Sequence, residues 1–389
     1  MKITRVTLFA QSQPFRDGTY TCSGGRSAEG FESSIAKIET DAGLTGWGEM
    51  APLGSFYDPS FLGGARAGMT ELAPALIGMD PAQVNLVNER LDLLLNGHPY
   101  VKAAFDMACW DLKARQAGIP LAEALGGRFG ERMALYRSVP QAAPDAMAAR
   151  AKKYIAEGYR RIQVKVGLEV KDDIARTEAV LDAVPSGTVI FADANAAWRQ
   201  QQAIEFLRAT RDLDYTLEQP CASYEANLAV RRHCDRPLVL DETIDSLNVL
   251  MRAWSDRLID GITIKVARVG GVTKAKLIRD TAAALGLGVT IEDTGGAEIN
   301  TAATAHLMMS TPEGVRQHTC DFYNWVTTRH TRPGFADKVF DTRDGSMAAP
   351  RGKGLGIEVD EEKVRRMAEI GHDWHNPVWR NADGSVTEW

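Results

Sequence analysis

The sequence predicts an α/β protein: a (β/α)8 barrel of TIM type preceded by an α+β capping domain that the C-terminal segment completes. Three observations lead there. Lys165, Asp193, Glu218, Asp241 and Lys265 each lie in or end a short apolar run, at successive steps of 28, 25, 23 and 24 residues. Each step is the length of one strand–helix unit. Around them, eight candidate strands alternate with amphipathic segments over roughly 200 residues, which suits a closed barrel better than an open sheet. The pattern changes on either side, so residues 1–128 and 351–389 flank a barrel of residues 129–350.

Taken in order, ITRVTLF (3–9) alternates like a strand and a glycine-rich polar stretch follows it. SSIAKIET (33–40) and LTGWGEM (44–50) flank the turn Asp41-Ala42-Gly43, a hairpin signal. Val101, Ala104, Phe105, Ala108 and Leu112 then recur at helical spacing, and Gly118 supplies a stop. Barrel strands are expected at 133–139, 161–167, 189–195, 215–220, 237–243, 261–270, 288–294 and 316–322. GKGLGIEVDEEKVRRMAE (352–369) reads as strand, turn and short helix, expected to pack back on the N-terminal unit.

Bulk composition narrows the function. With 45 basic against 51 acidic residues the net charge is −6, too mild for a nucleic-acid partner. No stretch reaches the roughly 18 to 20 apolar residues of a membrane span, and the N-terminus lacks a signal peptide's apolar core and cleavage site. Five scattered cysteines without a CxxC point to reduced thiols rather than a disulfide framework or zinc site, hence to a cytoplasmic protein. Gly270-Gly271 and Gly295-Gly296 lack the GxGxxG spacing of a dinucleotide-binding oxidoreductase.

Asp193, Glu218 and Asp241 carry the chemistry. One acidic residue at a strand end is often a helix cap. Three on consecutive strands converge at one rim as oxygen ligands, suited to Mg²⁺ and also to Mn²⁺. Asn195, Gln219 and Glu242 stand beside them as supporting groups. Strand alternation puts Gln163 and Lys165 on one face, and Lys265 sits likewise within ITIKV. Two lysines inside a barrel require an explanation. Burial, a dication and a second ammonium would lower their pKa toward use as bases. A metal that polarises a substrate carboxylate, with a lysine removing the α-proton, gives an enediolate. Strands two and six lie nearly opposite, so the lysines address opposite faces of the α-carbon. That permits racemisation or epimerisation; loss of a β-hydroxyl from the same enediolate is the alternative, and a non-catalytic metal-binding scaffold is the third reading.

With these residues in place, the chain resembles the enolase superfamily, in particular the muconate-lactonising subgroup of the mandelate racemase/muconate lactonising family. GWGEMAP, AAFDMACWDL, the barrel and GKGLGIEVD carry the resemblance over nearly the whole chain. It implies Asp193, Glu218 and Asp241 as metal ligands, Lys165 and Lys265 as catalytic bases, and Asp293 as the strand-seven acid supporting Lys265. It also implies a small carboxylate substrate and a homo-oligomer. The subgroup has lysine where this chain has Gln163. QVKVG, LEQPC and EDTGGAEI are similar to the branch acting on proline, hydroxyproline and their betaines. That branch carries Trp where this chain has Gly295, and Tyr323 or Trp325 is a candidate replacement for that cation–π surface. Rim loops of the cap, about 14–30 with Tyr20 and 50–60 with Phe56 and Tyr57, are expected to set specificity.

Overall fold

The computed structural model describes residues 1–54, 57, 59–370, 379–380, 383 and 386–387; Phe56 lies outside the described residues. The cap begins with strands Ile3–Pro14, Gly30–Thr40 and Thr45–Met50, paired antiparallel in that order. Helix Pro99–Ala117 lies directly beneath the third strand. Glycines 46 and 48 allow that contact, because a Cβ on either would collide with the carbonyl oxygens of Ala108 and Ala104. The helix opens on a proline and ends at Gly118 with φ 74°, so its start and its stop are both set locally.

Eight parallel strands form the barrel: Met133–Val139, Arg161–Lys165, Val189–Asp193, Thr216–Glu218, Leu238–Leu240, Gly261–Lys265, Gly288–Glu292 and Thr319–Cys320. Each pairs with its sequence neighbour, and the eighth pairs with the first through Thr319↔Leu135. Closure between the seventh and eighth comes from Val289 N donating to Val315 O (2.8 Å) and Gln317 N donating to Val289 O (2.9 Å). The expected strands are all present; the first, Met133–Val139, has the expected bounds and the other seven are shorter. The sixth stops at Lys265, where Val266–Val269 turns helical and is capped by Gly270 at φ 101°. That turn swings Arg268 back toward the rim. One pairing was not anticipated: hairpin Thr342–Arg343/Ser346–Met347, turning on Asp344-Gly345 at φ 48° and 61°, adds antiparallel to the first barrel strand. An Asp-Gly dipeptide between strand-like residues is the signal for it.

After the barrel the chain returns to the cap. Helix Glu361–Ile370 lies on the first cap strand, where Gln11 Nε2 donates to Val364 O (3.1 Å) and Lys37 pairs with Glu361 (2.8 Å). Over the barrel mouth, Phe15, Tyr20 and Phe31 of the cap pack with Phe322 and Trp325 after the eighth strand. Such aromatic pairs contribute about 0.5–1.5 kcal/mol each beyond their buried area. They fix the cap's rim loops over the C-terminal strand ends. Among the described residues, no helix is long and apolar enough to cross a membrane.

Candidate active site

Register builds the site. Lys165 lies opposite Asp193 on the adjacent strand, Asp193 opposite Glu218, and Lys265 opposite Glu292. Because alternate residues face inward, these side chains share one rim. Both lysines are buried, each 7% exposed. They line one cavity of about 40 Å³ together with Tyr20, Tyr57, Asp193 and Trp325.

The acidic oxygens are engaged from within. Lys165 Nζ donates to Asp193 Oδ2 (2.5 Å) and to Asn195 Oδ1 (2.8 Å). Glu218 accepts from Gln163 Nε2 (2.9 Å) and Thr263 Oγ1 (3.1 Å). Asp241 accepts from Arg268 Nη1 (2.7 Å) and Tyr57 OH (2.6 Å), with Lys265 Nζ 3.5 Å away. Asn195 Nδ2 donates to Glu242 Oε1 (3.0 Å). Backbone strain sits here as well. Asn195 (φ 41°) and Gln219 (φ 35°) follow two of the acids in left-handed conformations, each costing about 1–3 kcal/mol. Gln219 uses that turn to bridge strands: its Oε1 accepts from the backbone N–H of Asp241 (2.9 Å).

Crowding of like charge decides the electrostatics. Burial and then the neighbouring Asp193 and Asp241 push the Glu218 carboxyl well above the usual carboxylate range. Burial, Asp241 and Asp193 raise Glu242 to about 8, and its Oε2 is buried with no hydrogen-bond partner among the described residues. The lysines depart from expectation. Burial lowers both, but Asp193, Tyr20 and Glu218 lift Lys165 well above its ordinary value, and Asp241 and Glu292 do the same for Lys265. The anticipated depression counted burial, a dication and a second ammonium and left out the carboxylates each amine touches.

Among the described residues no three acidic, cysteine or histidine side chains stand in the spacing of a metal cage. The donor set nonetheless fits a hard dication. Three buried carboxylates at adjacent strand ends repel one another, and a fourth carries an unsatisfied oxygen, Glu242 Oε2.

Other sequence-derived residues fall less evenly. Glu292, rather than Asp293, accepts from Lys265 Nζ. Asp293 points the other way and accepts from the N–H groups of Ala267 (3.0 Å) and Thr294 (2.8 Å) and from Asn300 Nδ2 (2.6 Å). Lys265 reaches Asp293 only through its field, within a balance in which burial raises the acid to about 6. Tyr323 lies away from the cavity, packed on Phe340 and under Arg329. Trp325 lines the cavity, but stacking with Phe322 (5.1 Å) and Phe15 (5.7 Å) makes it a fixed apolar wall rather than an open face for a cation. At Gly295, a Cβ would come within 2.9 Å of the Phe31 ring, so Phe31 occupies the space a larger residue would need. Sequence reasoning missed Glu292, Arg268 and Tyr136, whose hydroxyl donates to Glu292 Oε2 (2.5 Å). A buried acid next to Asp293 was the available signal for the first.

The chain as a whole resembles known proteins. The chain is 43% identical over 357 residues to cis-3-hydroxy-L-proline dehydratase of Roseibium aggregatum, covering 92% of this chain and 96% of that one. It is 29% identical to N-succinyl-L-Arg/Lys racemase of Bacillus cereus, over 80% of this chain and 85% of the racemase. A solved enolase-superfamily member from Roseovarius nubinhibens ISM, complexed with magnesium, superposes with a TM-score of 0.86 at 36% identity, covering 93% of this chain and 97% of that one. Residues 146–363 match the enolase C-terminal domain-like family and residues 7–126 the mandelate racemase/muconate lactonizing enzyme N-terminal domain. The chain is therefore an enzyme of the enolase superfamily and belongs to its mandelate racemase/muconate lactonizing enzyme family.

Proposed function

We propose that this enzyme removes the proton α to the carboxylate of a proline-type amino acid and, from a substrate hydroxylated at C3, expels that hydroxyl as water. One observation carries the reading: two buried lysine amines, from strands on opposite sides of the ring, reach one small cavity beside a cluster of carboxylates. Asp193, Glu218 and Asp241 would hold Mg²⁺, with Mn²⁺ meeting the same oxygen preference, and the ion supplies positive charge where the substrate carboxylate gains negative charge. The chain's own residues do the proton work. One amine, in the neutral form that the carboxylates disfavour until they turn to other partners, accepts the α-proton from its face. The ammonium on the other face donates a proton to the departing C3 oxygen, so the Cα–H and C3–O bonds break and a ring C=C bond forms. The product tautomerises to the cyclic imine. The wall of Tyr20, Phe31 and Trp325 excludes water from that face of the cavity.

The dehydratase at 43% identity favours elimination. The two amines together favour a second outcome for substrates without a leaving group at C3: removal of the proton on one face and return on the other, inverting Cα.

Cis-3-hydroxy-L-proline with Mg²⁺ in D₂O separates the two by NMR. Elimination removes the C3 carbinol signal and yields an imine, whereas inversion leaves C3 intact and places deuterium at Cα. Absence of both changes with this substrate, and of exchange with L- and D-proline, sinks the proposal.

A further inference from the structure

The two amines differ in what holds them apart from the three acids at the rim. Lys165 has Asn195, a neutral amide fixed in turn by Glu242. Lys265 has Glu292, a full carboxylate that stands one strand further round and accepts from Lys265 Nζ through Oε1. Its other oxygen is taken by Tyr136 OH (2.5 Å), from the first barrel strand across the interior. Tyr136 is itself rigid, because Phe191 and His318 meet its ring at 5.2 Å each, nearly perpendicular. Glu292 is 1% exposed, and both its oxygens are committed. A lysine side chain has four rotatable bonds and would otherwise sample many positions over the cavity.

We infer that Glu292, braced by Tyr136, is a positioning residue that sets where the Lys265 amine stands over the substrate α-carbon, a task Asn195 performs for Lys165. The assignment rests on the two-amine reading above. It divides the cavity into two unlike halves. On the Lys165 side the amine is steered by a neutral acceptor on a strained turn. On the Lys265 side a buried ion pair and a rigid phenol fix it. Orienting partners of this kind typically alter activity by about 10- to 100-fold without touching the reacting atoms.

The test uses the full-length enzyme with Mg²⁺, following α-proton exchange into L-proline, D-proline and cis-3-hydroxy-L-proline in D₂O. Lys165→Ala and Lys265→Ala first assign each exchange to one amine. Glu292→Gln keeps the shape of the side chain and removes its charge. The expected result is a loss of about 10- to 100-fold in kcat for the Lys265-dependent exchange, with KM and the Lys165-dependent exchange both within about threefold of wild type. Tyr136→Phe, which removes a single hydroxyl, should move the same rate in the same direction by a smaller factor. If Glu292→Gln slows both exchanges equally, or neither, the positioning role is wrong while the two-amine reading stands. If wild type exchanges none of the three substrates, the proposed function fails and the inference falls with it.

Discussion

Two groups of buried carboxylates in this molecule are satisfied in different ways. At the seams between cap, barrel and tail they collect backbone N–H groups. Asp111 accepts from the N–H groups of Trp47 (3.1 Å) and Leu355 (2.8 Å) and from Arg115, tying hairpin, helix and tail together. Glu49 accepts from the N–H groups of Ala297 and Asn300, at the start of the helix that follows the seventh barrel strand. Asp106 does the same for Thr273 (2.9 Å), and the neighbouring Gly271 is at φ 112° where a Cβ would strike that carboxylate. At the rim, Glu218, Asp241 and Glu292 accept from side chains, Asp193 takes Lys165 and a single backbone N–H, that of Asn195 (2.8 Å), and Glu242 accepts from Asn195 and leaves an oxygen unmet. Backbone donors cannot leave without unfolding; side-chain donors can turn away. The first set holds shape, and the second can exchange its partners for a cation and a substrate.

The largest expected effects break the rim set alone. Lys165→Met should lower α-proton exchange by about 10²- to 10⁴-fold, the range of a lost general base. In Asp241→Asn, a rise in melting temperature on adding Mg²⁺, expected for wild type from ligand linkage, should disappear. Deuterium exchange checks the first, and thermal melts with and without Mg²⁺ check the second. A variant that keeps wild-type exchange would remove Lys165 from the reaction.

At the seams the expected effect is on folding instead. Asp111→Ala strands Arg115 and two buried N–H groups, which costs on the order of 3–5 kcal/mol. Denaturant titration should record that loss, whereas exchange per folded molecule should stay close to wild type. A variant that folds normally but is inactive would abolish the distinction between the two sets.

How far the sequence disclosed this division depends on strand phase. Asp193, Glu218, Asp241 and both lysines were legible because each lies in or ends an apolar run at the interval of one βα unit. Gln163 was legible by alternation, and its amide does reach Glu218. Glu292 was not. One residue of phase decides which of two adjacent acids faces inward, and the run VTIEDT does not reveal where the strand stops. Arg268 was hidden because the strand was read through to Gly270, whereas the chain turns helical after Lys265. Trp325 and Tyr323 were equivalent as letters. Only the stacking of Trp325 on Phe322 separates the cavity wall from a residue buried behind it.

A smaller effect should appear on acidification. His306 is fully buried; it accepts from Ala122 N–H at Nδ1 (3.1 Å) and, through Nε2, donates to Leu355 O (3.1 Å). Both ring nitrogens are thus used by a neutral imidazole at the seam between barrel and tail. Burial lowers it to about 4, and burial lowers His330 to about 4 and His318 to about 3. The ordinary value is 6.5, so below it the unfolded chain binds more protons than the folded one. Stability from these groups is fully present above about 6.5 and declines as pH falls toward 4, by up to roughly 3 kcal/mol per imidazole. The raised carboxyls of Glu242 and Asp293 add a slope of the opposite sign over the same pH range, so the comparison is between proteins: from pH 7 to 4.5, replacing His318, which stacks on Phe191 at 4.5 Å, with Phe should remove its share of the decline relative to wild type. Parallel profiles of melting temperature in the two proteins would show that this imidazole protonates without penalty.

The least disruptive test concerns Asp293, which the resemblance assigned to the reaction and the donor count assigns to the seam. Its three acceptor contacts are two backbone N–H groups and the Asn300 amide, the pattern of Asp111 and not of Glu292. By that criterion Asp293 fixes the loop after the seventh strand and the start of the helical turn that carries Arg268. Asp293→Asn retains an oxygen for one of these donors and loses the charge. The expected cost is about 1–3 kcal/mol of stability, with exchange falling less than about tenfold, because Lys265 keeps Glu292. Side-by-side denaturation and exchange of Asp293→Asn and Glu292→Gln decide the matter. If the former slows exchange as severely as the latter while melting like wild type, counting backbone donors does not separate scaffold from chemistry in this barrel, and Asp293 acts on Lys265 through its field alone.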